Sequence, residues 1–280
     1  MFSLIQTSQD RKSQLKRFVE SLNNQFNIDF SSIQLIFIDQ GNNISSFNDL
    51  NKKIDFTYIK YHKCSLSEAR NIALKHVKGD IIAFPDDDCW YNPLTLSKVL
   101  ECIQDGYDGV IAKATDENGI PLKIYKGTSR LLTLYNHCGA FSNSIFLKTD
   151  KDLFFDENIG VGSSFKLLSG EETDYLYNYI KKNNAVIIYN TNIEIHHPRN
   201  EKSNFSDLII KNYYYARGWG YLLKKNKYPI KIIANSFIRP FVGMFVFCLL
   251  GKFKRMKKSF YILKGRIEGY NFKIPENKSK

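Results

Sequence analysis

Short apolar runs alternate with amphipathic stretches from the N-terminus onward. Phe2 to Gln6 reads as a strand, broken at Thr7-Ser8-Gln9-Asp10. Leu15, Phe18, Val19, Leu22 and Phe26 then recur at helical spacing on one face. Ile33 to Ile38 is a second apolar run and ends at Asp39-Gln40-Gly41-Asn42. Strand, helix and strand joined by a crossover of this length predict a parallel pair. Phe56 to Tyr61 is a third strand candidate, and Ser65-Leu66-Ser67-Glu68 has the form of a capping box. It predicts a helix through about Val77, with Arg70 and Asn71 in the second turn and Gly79 closing it.

The run Ile81-Ile82-Ala83-Phe84 is too short for a helix and suits a strand in a sheet covered on both faces. It ends at Pro85 and the consecutive carboxylates Asp86, Asp87 and Asp88. Asn92 as cap and Pro93 in the first turn predict a further helix with Leu96, Val99, Leu100 and Ile103 inward. From Asp108 the texture changes. Val110 to Ala112 and Ile120 to Tyr125 flank a hairpin-like Asp116-Glu117-Asn118-Gly119, and residues 138 to 155 suggest more short strands. A Gly160 to Ser164 loop leads into Gly170-Glu171-Glu172-Thr173-Asp174 and a helix through Lys182. Strands at Ala185 to Tyr189 and Ile193 to Ile195 end at His196-His197-Pro198, and an aromatic helix carries Tyr213, Tyr214, Tyr215 and Trp219. The class is α/β.

Composition sharpens this picture at the C-terminal end. The chain has 280 residues, 43% of them hydrophobic, enough for one large domain or a domain with an appendage. Much of its formal charge of +12 lies from about residue 224 onward, in Lys224, Lys225, Lys227 and Lys231, then Lys252, Lys254, Arg255, Lys257 and Lys258. Such a basic end points to anionic lipid or nucleic acid. Ile232 to Leu250 is apolar but holds Asn235, Arg239 and Pro240, and a spanning helix resists a central Arg. The favoured expectation is a helix pair lying in the membrane interface, held by anionic headgroups; the alternative is a buried C-terminal helix packing on the domain. The five cysteines form no C-x-x-C pair and read as reduced thiols in the cytosol. No signal peptide is expected at the N-terminus.

The acidic triplet is the candidate chemistry. Adjacent carboxylates repel unless something cationic is near, and a strand's C-terminal end is where open α/β sheets bind ligands. A divalent cation, Mg²⁺ or Mn²⁺, answers both points, and a solvated acidic turn is the plainer competitor.

Thr7, Asp39-Gln40-Gly41, Ala69-Arg70-Asn71, the Gly79 to Asp88 run, Gly170 to Asp174 and His196-His197-Pro198, in that order, resemble the family 2 glycosyltransferases of GT-A fold. The resemblance covers roughly residues 2 to 200. It implies a Rossmann-like nucleotide-binding half with a mixed central sheet over 1–108 and an acceptor half over 109–224, while composition makes 225–280 a basic amphipathic membrane-associating segment. Thr7 and Asp39 would hold the nucleotide's base and ribose, and Arg70 and Asn71 would lie against the donor nucleotide. Asp86 would approach the ribose or sugar and join Asp88 at the metal, with Asp87 sharing either role. His196 or His197 matches a histidine that holds metal or diphosphate in some relatives. Glu172 matches the catalytic base but replaces the commoner Asp, which leaves Glu171 as the other choice.

The activity so implied is inverting transfer of a sugar from a nucleoside-diphosphate donor, a UDP-sugar being the family's commonest. The acceptor expected is a saccharide, lipid-linked, in assembly of a cell-surface polysaccharide at the cytoplasmic face of a membrane, with no nucleic acid involved. A sugar nucleotidyltransferase would carry a Gly-rich basic loop after the first strand, and Thr7-Ser8-Gln9-Asp10-Arg11 has no glycine. A catalytically silent saccharide-binding membrane protein would have no need of both sets of carboxylates.

Overall fold

The computed structural model describes residues 1–123, 129–137, 140–199 and 204–275. The last part of the expected strand Ile120 to Tyr125, and residues 138 and 139 of the expected short-strand region, lie outside them. The chain forms two compact units. The first holds Met1–Cys64, Glu68–Phe155 and Tyr175–Arg199, and the second holds Ser65–Ser67, Asp156–Asp174 and Asn200–Lys280.

In chain order the first unit contains β1 (Phe2–Ser8), α1 (Lys12–Asn23), β2 (Ile33–Asp39), β3 (Asp55–Lys60), most of α2 (Leu66–Leu74), β4 (Ile81–Ala83) and β5 (Trp90–Tyr91). There follow α3 (Thr95–Gln104), β6 (Gly109–Thr115), β7 (Arg130–Leu131), β8 (Ile145–Lys148), most of α4 (Glu171–Asn183) and β9 (Ile187–His196). The strands form one mixed sheet in the order β3-β2-β1-β4-β8-β6-β9-β5, with β7 also paired to β9. β1 to β4 run parallel, and β8 is antiparallel to both β4 and β6.

β2 is buried at every position, and the alternation along β1 and β2 feeds two separate cores. Leu4, Leu35 and Phe37 pack with Leu15, Phe18 and Leu22 of α1 and Leu96 and Val99 of α3. Ile5, Ile36 and Ile38 pack with Ala69 and Ala73 of α2 and Tyr175, Leu176 and Tyr179 of α4. Each such aliphatic or aromatic side chain contributes about 2 kcal/mol when fully buried, so the two faces lock the register of the strands. Because β2 lies on one side of β1 and β4 on the other, strand order reverses at β1. Ligands of open α/β sheets bind beyond the strand C-termini at such a reversal.

Several elements differ in extent from what the sequence predicts. α2 ends at Leu74 rather than Val77, because His76 and Val77 turn back on Ala73 and Leu74 in tighter i→i−3 bonds. α3 starts at Thr95, beyond Asn92 and Pro93, and Leu94 gives it no side-chain cap. The Leu96 amide instead donates to the Gln25 side chain at 3.1 Å, while Asn92 Oδ1 is occupied by His196. The expected strands 185–189 and 193–195 are one strand, β9, bulged where its register with β6 steps from Ala112↔Asn190 to Lys113↔Glu194. The turn at Asp116 to Gly119 forms, but it closes on a single bridge, Thr115↔Pro121, since proline has no amide to extend a ladder. Between 140 and 155, β8 is the one strand among the described residues.

The second unit is built on α5 (Phe205–Lys225), α6 (Ile230–Leu249) and α7 (Phe253–Asn271), together with the loop leading to the first turn of α4. α5 and α7 meet backbone to backbone. A Cβ on Gly269 would lie 2.0 Å from the Arg217 carbonyl oxygen, and one on Gly220 would lie 2.3 Å from that of Arg266. α6 contrasts with this: by length and composition it is apolar enough to cross a membrane, and Pro240 is its one buried residue. The alternative expectation of a buried C-terminal helix therefore does not describe it.

Candidate functional site

The candidate site of the first unit is assembled where β1 and β4 part. β4 delivers Phe84 and Pro85 and then the acidic triplet, whose first turn closes with the Cys89 amide donating to the Asp86 carbonyl at 3.2 Å. β1 meets this turn with two side chains. Gln6 Nε2 donates to the Asp86 carbonyl at 3.4 Å, and Ser8 Oγ donates to Asp87 at 2.7 Å. Gly41 closes the neighbouring loops so tightly that a Cβ there would fall 1.3 Å from the Gln9 carbonyl oxygen.

Asp86, Asp88 and His197 bring ligand atoms within 4.8 Å of one another, a group able to coordinate a divalent cation. His197 Nε2 lies 3.0 Å from Asp88 Oδ1. Its Nδ1 lies 2.8 Å from the Pro198 carbonyl oxygen, which only accepts, so Nδ1 carries a proton and Nε2 is the atom offered to the carboxylates. Two carboxylates and an imidazole fixed by an outer hydrogen bond form a chemically suitable donor set. Arg11 stands at the same carboxylates, with Nη1 2.5 Å from Asp88 Oδ2 and 3.4 Å from Asp87 Oδ1. Burial pushes Asp87 up to about 6 against the opposing Ser8 and Arg11. Burial acts the same way on Asp88, but His197 and Arg11 outweigh it and hold Asp88 below the usual carboxylate range. For His197 burial disfavours the charged ring, and the Asp88 carboxylate overrides it and raises the pKa.

Arg70 is almost fully buried on α2 and reaches Asp86 at 3.2 Å, while Ser142 Oγ donates to the same carboxylate at 3.1 Å. Even so, burial raises the Asp86 pKa. Asn71, one residue on, is engaged on both ends of its amide: Oδ1 accepts from the Phe155 amide at 2.8 Å, and Nδ2 donates to the Phe155 carbonyl at 3.0 Å. It pins the chain after β8. Asp39, at the end of β2, is wholly buried and accepts from the amides of Gly41 and Asn43, the Asn43 side chain and the Tyr58 hydroxyl. Burial alone would raise its pKa, but these donors lower it. Thr7 sits half-buried beside it, in register with Ile38.

Of the two histidines, His197 joins the carboxylates and His196 does not. The ring of His196 stacks on Trp90 with centroids 5.2 Å apart, and its nitrogens meet Thr115 and Asn92 at 2.8 and 2.7 Å. Arg17 lies on Trp90, 3.8 Å from the ring centroid, and donates to the Asp88 carbonyl at 2.8 Å. Glu171 and Glu172 belong to the second unit, where they open α4; Glu171 is buried and Glu172 half-buried. The sequence reading missed Ser8, Arg11, Arg17 and Ser142. Arg11 alone had a readable signal, a cation just past the first strand's C-terminal edge.

The fold and this cluster define a class of protein. A family model for glycosyl transferase family 2 matches residues 3–168, and the chain belongs to that family, with a GT-A-related fold. Among curated relatives it is similar to the poly(ribitol-phosphate) β-N-acetylglucosaminyltransferase TarS of Staphylococcus aureus. The Mu50 and MW2 proteins are 26% and 27% identical over 121 residues, 40% of this chain and 21% of theirs. The chain thus spans about a fifth of the length of those relatives. Among solved structures, residues 1–349 of S. aureus TarS with UDP-GlcNAc superpose with a TM-score of 0.60 at 15% identity, covering 99% of this chain and 95% of that one. The mannosyltransferase PcManGT of Pyrobaculum calidifontis, bound to GDP-Man and Mn²⁺, gives 0.59 at 12% identity, covering 96% and 86%. These likenesses agree with the mixed sheet as the shared scaffold.

Proposed function

We propose that the chain is an inverting, cation-dependent glycosyltransferase that moves a sugar from a UDP-sugar to a saccharide acceptor, lipid-linked, in the building of a cell-surface polysaccharide. Residues 1–224 would carry donor and acceptor chemistry and 225–280 the membrane attachment. The observation that carries the reading is the Asp86, Asp88 and His197 group at the strand-order reversal of a family 2 chain. These residues would hold Mn²⁺ or Mg²⁺, and the imidazole favours Mn²⁺. When bound, the cation supplies positive charge against the diphosphate as it leaves.

The protein's own groups supply the rest. Asp39 and Thr7 are proposed to hold the base and ribose, and Arg70 is proposed to keep Asp86 aimed. Glu172 is proposed to take the proton from the acceptor hydroxyl, which then displaces the diphosphate from the opposite face of the sugar and inverts the anomeric centre. The TarS complexes with UDP and UDP-GlcNAc support a uridine donor, while the GDP-Man complex of PcManGT shows that this scaffold also admits guanosine. Release of nucleoside diphosphate from a panel of nucleotide sugars tests the choice. UDP release that requires Mn²⁺ and stops with EDTA is expected. Turnover of no nucleotide sugar, or turnover indifferent to EDTA, would defeat the proposal.

Membrane attachment rests on α6 and α7. Ile238, Phe241, Val242 and Phe245 are exposed on α6, and Lys254, Arg255, Lys257 and Lys258 begin α7. Apolar surface bordered by cations suits the cytoplasmic face of an anionic bilayer. The full chain should float with phosphatidylglycerol vesicles, and Phe241→Asp with Phe245→Asp should weaken that binding by about a hundredfold or more, given the burial each Phe loses. Equal flotation of wild type and double variant would refute the attachment.

A further inference from the structure

Arg11 is placed differently from the other cations around the triplet. Arg70 is buried against Asp86, and Arg17 is fixed by its stack on Trp90. Arg11 has a half-exposed side chain, and one nitrogen, Nη1, spans Asp87 and Asp88. The rest of its guanidinium takes no other partner among the described residues. Its backbone is anchored all the same. The Arg11 amide donates to Asn43 Oδ1 at 3.3 Å, and buried Asn43 is itself held by Asp39. A fixed Cα carrying a long, exposed arm can change partners without moving the fold.

Charge shows what the change would be. Without ligand, Arg70 and Arg11 are the cations set against the three carboxylates, and His197 Nε2 faces Asp88. A divalent cation seated on Asp86, Asp88 and His197 would draw on the Asp88 carboxylate that Arg11 holds through its other oxygen, Oδ2. Arg11 and the cation cannot both stay close against that carboxylate, since like charges so near repel strongly. A nucleotide sugar's diphosphate arrives with one negative charge on each phosphate, and a planar guanidinium pairs well with phosphate oxygens. The cation's two positive charges and the diphosphate's two negative charges offset each other, so Arg11 can leave Asp88 for the phosphates with the local charge nearly conserved.

We infer that Arg11 is an exchangeable counter-ion: it holds Asp87 and Asp88 in the free protein and passes to the donor's diphosphate when a cation–nucleotide complex binds. The inference rests on the cation and nucleotide reading of this site. It makes Arg11 a competitor of the bare cation and a ligand of the nucleotide, so its removal must move the two affinities in opposite directions.

The test uses the full chain and two titrations, Mn²⁺ alone and UDP in saturating Mn²⁺, by calorimetry. Arg11→Ala is expected to bind Mn²⁺ about tenfold more tightly and UDP about tenfold more weakly than wild type. Arg11→Lys, which keeps the charge and loses the fork, should fall between the two on the UDP axis. Thermal unfolding of both variants near wild type would show that the anchored backbone is intact. Unchanged or weaker Mn²⁺ binding in Arg11→Ala, or unchanged UDP binding, would overturn the exchange while leaving the cation site in place. A wild type that binds neither Mn²⁺ nor UDP would overturn both the exchange and the reading beneath it.

Discussion

Asp88→Asn is expected to lower nucleoside diphosphate release by about a thousandfold or more and to abolish its response to Mn²⁺. Asp88 is the carboxylate on which the site's charges converge: His197 at 3.0 Å and Arg11 at 2.5 Å both rely on it. The asparagine amide has nearly the same shape, so the strand-end turn and the Arg17 bond to the Asp88 carbonyl survive. What disappears is the charge. His197 loses the anion that raises its pKa, and a cation loses one of its two carboxylates. Calorimetric titration with Mn²⁺ should show the affinity gone, while thermal unfolding stays close to wild type. Turnover within about threefold of wild type would remove Asp88 from the cation site. Asp87→Asn makes a useful contrast. Asp87 is tied to Ser8 at 2.7 Å and stands outside the Asp86, Asp88 and His197 group, so a smaller loss is expected.

Much of this site could be read before any coordinates, because it rests on local patterns. β2 is an unbroken apolar run and is buried throughout. The triplet follows a short apolar run, and the strand end it implies is where the structure has it. What escaped the sequence depends on partners distant along the chain. The cap of α3 comes from Gln25, in place of the nearby Asn92. The choice between adjacent histidines is made by β5, a strand of two residues with no periodicity to detect. Trp90 pairs with His196 and stacks on it, and because successive side chains of a strand alternate, His197 turns the other way, toward Asp88. Ser142 was hidden for a similar reason, since nothing around it forms a motif and its role comes only from meeting Asp86. For α6 the composition was legible but the burial was not. A run rich in Phe, Ile and Val fits a core helix and an exposed one equally well until its neighbours are known.

Glu172→Gln should lower turnover by about a hundred- to ten-thousandfold while leaving Mn²⁺-dependent UDP binding unchanged, the signature of a lost general base. The first turn of α4 is built to hold such a group still. Asp174, two residues on, is buried and bonded to Lys225 at 2.8 Å and Asn226 at 3.0 Å, and Lys225 also grips Asp156 at 2.5 Å. Gly170 enters the turn at φ +99°, pressed so closely on Leu222 that a Cβ would lie 2.2 Å from it. On this anchored turn Glu171 faces inward and Glu172 is the more accessible, so Glu172 is the better placed to meet an acceptor from solvent. Glu171→Gln is therefore expected to cost stability more than rate. Should Glu171→Gln prove inactive and Glu172→Gln active, the base would be Glu171. Glu172→Asp adds a measure of reach. It keeps the carboxylate but draws it back by one methylene, so partial activity would identify proton abstraction as the role, and activity no better than Glu172→Gln would show that the longer arm is itself required.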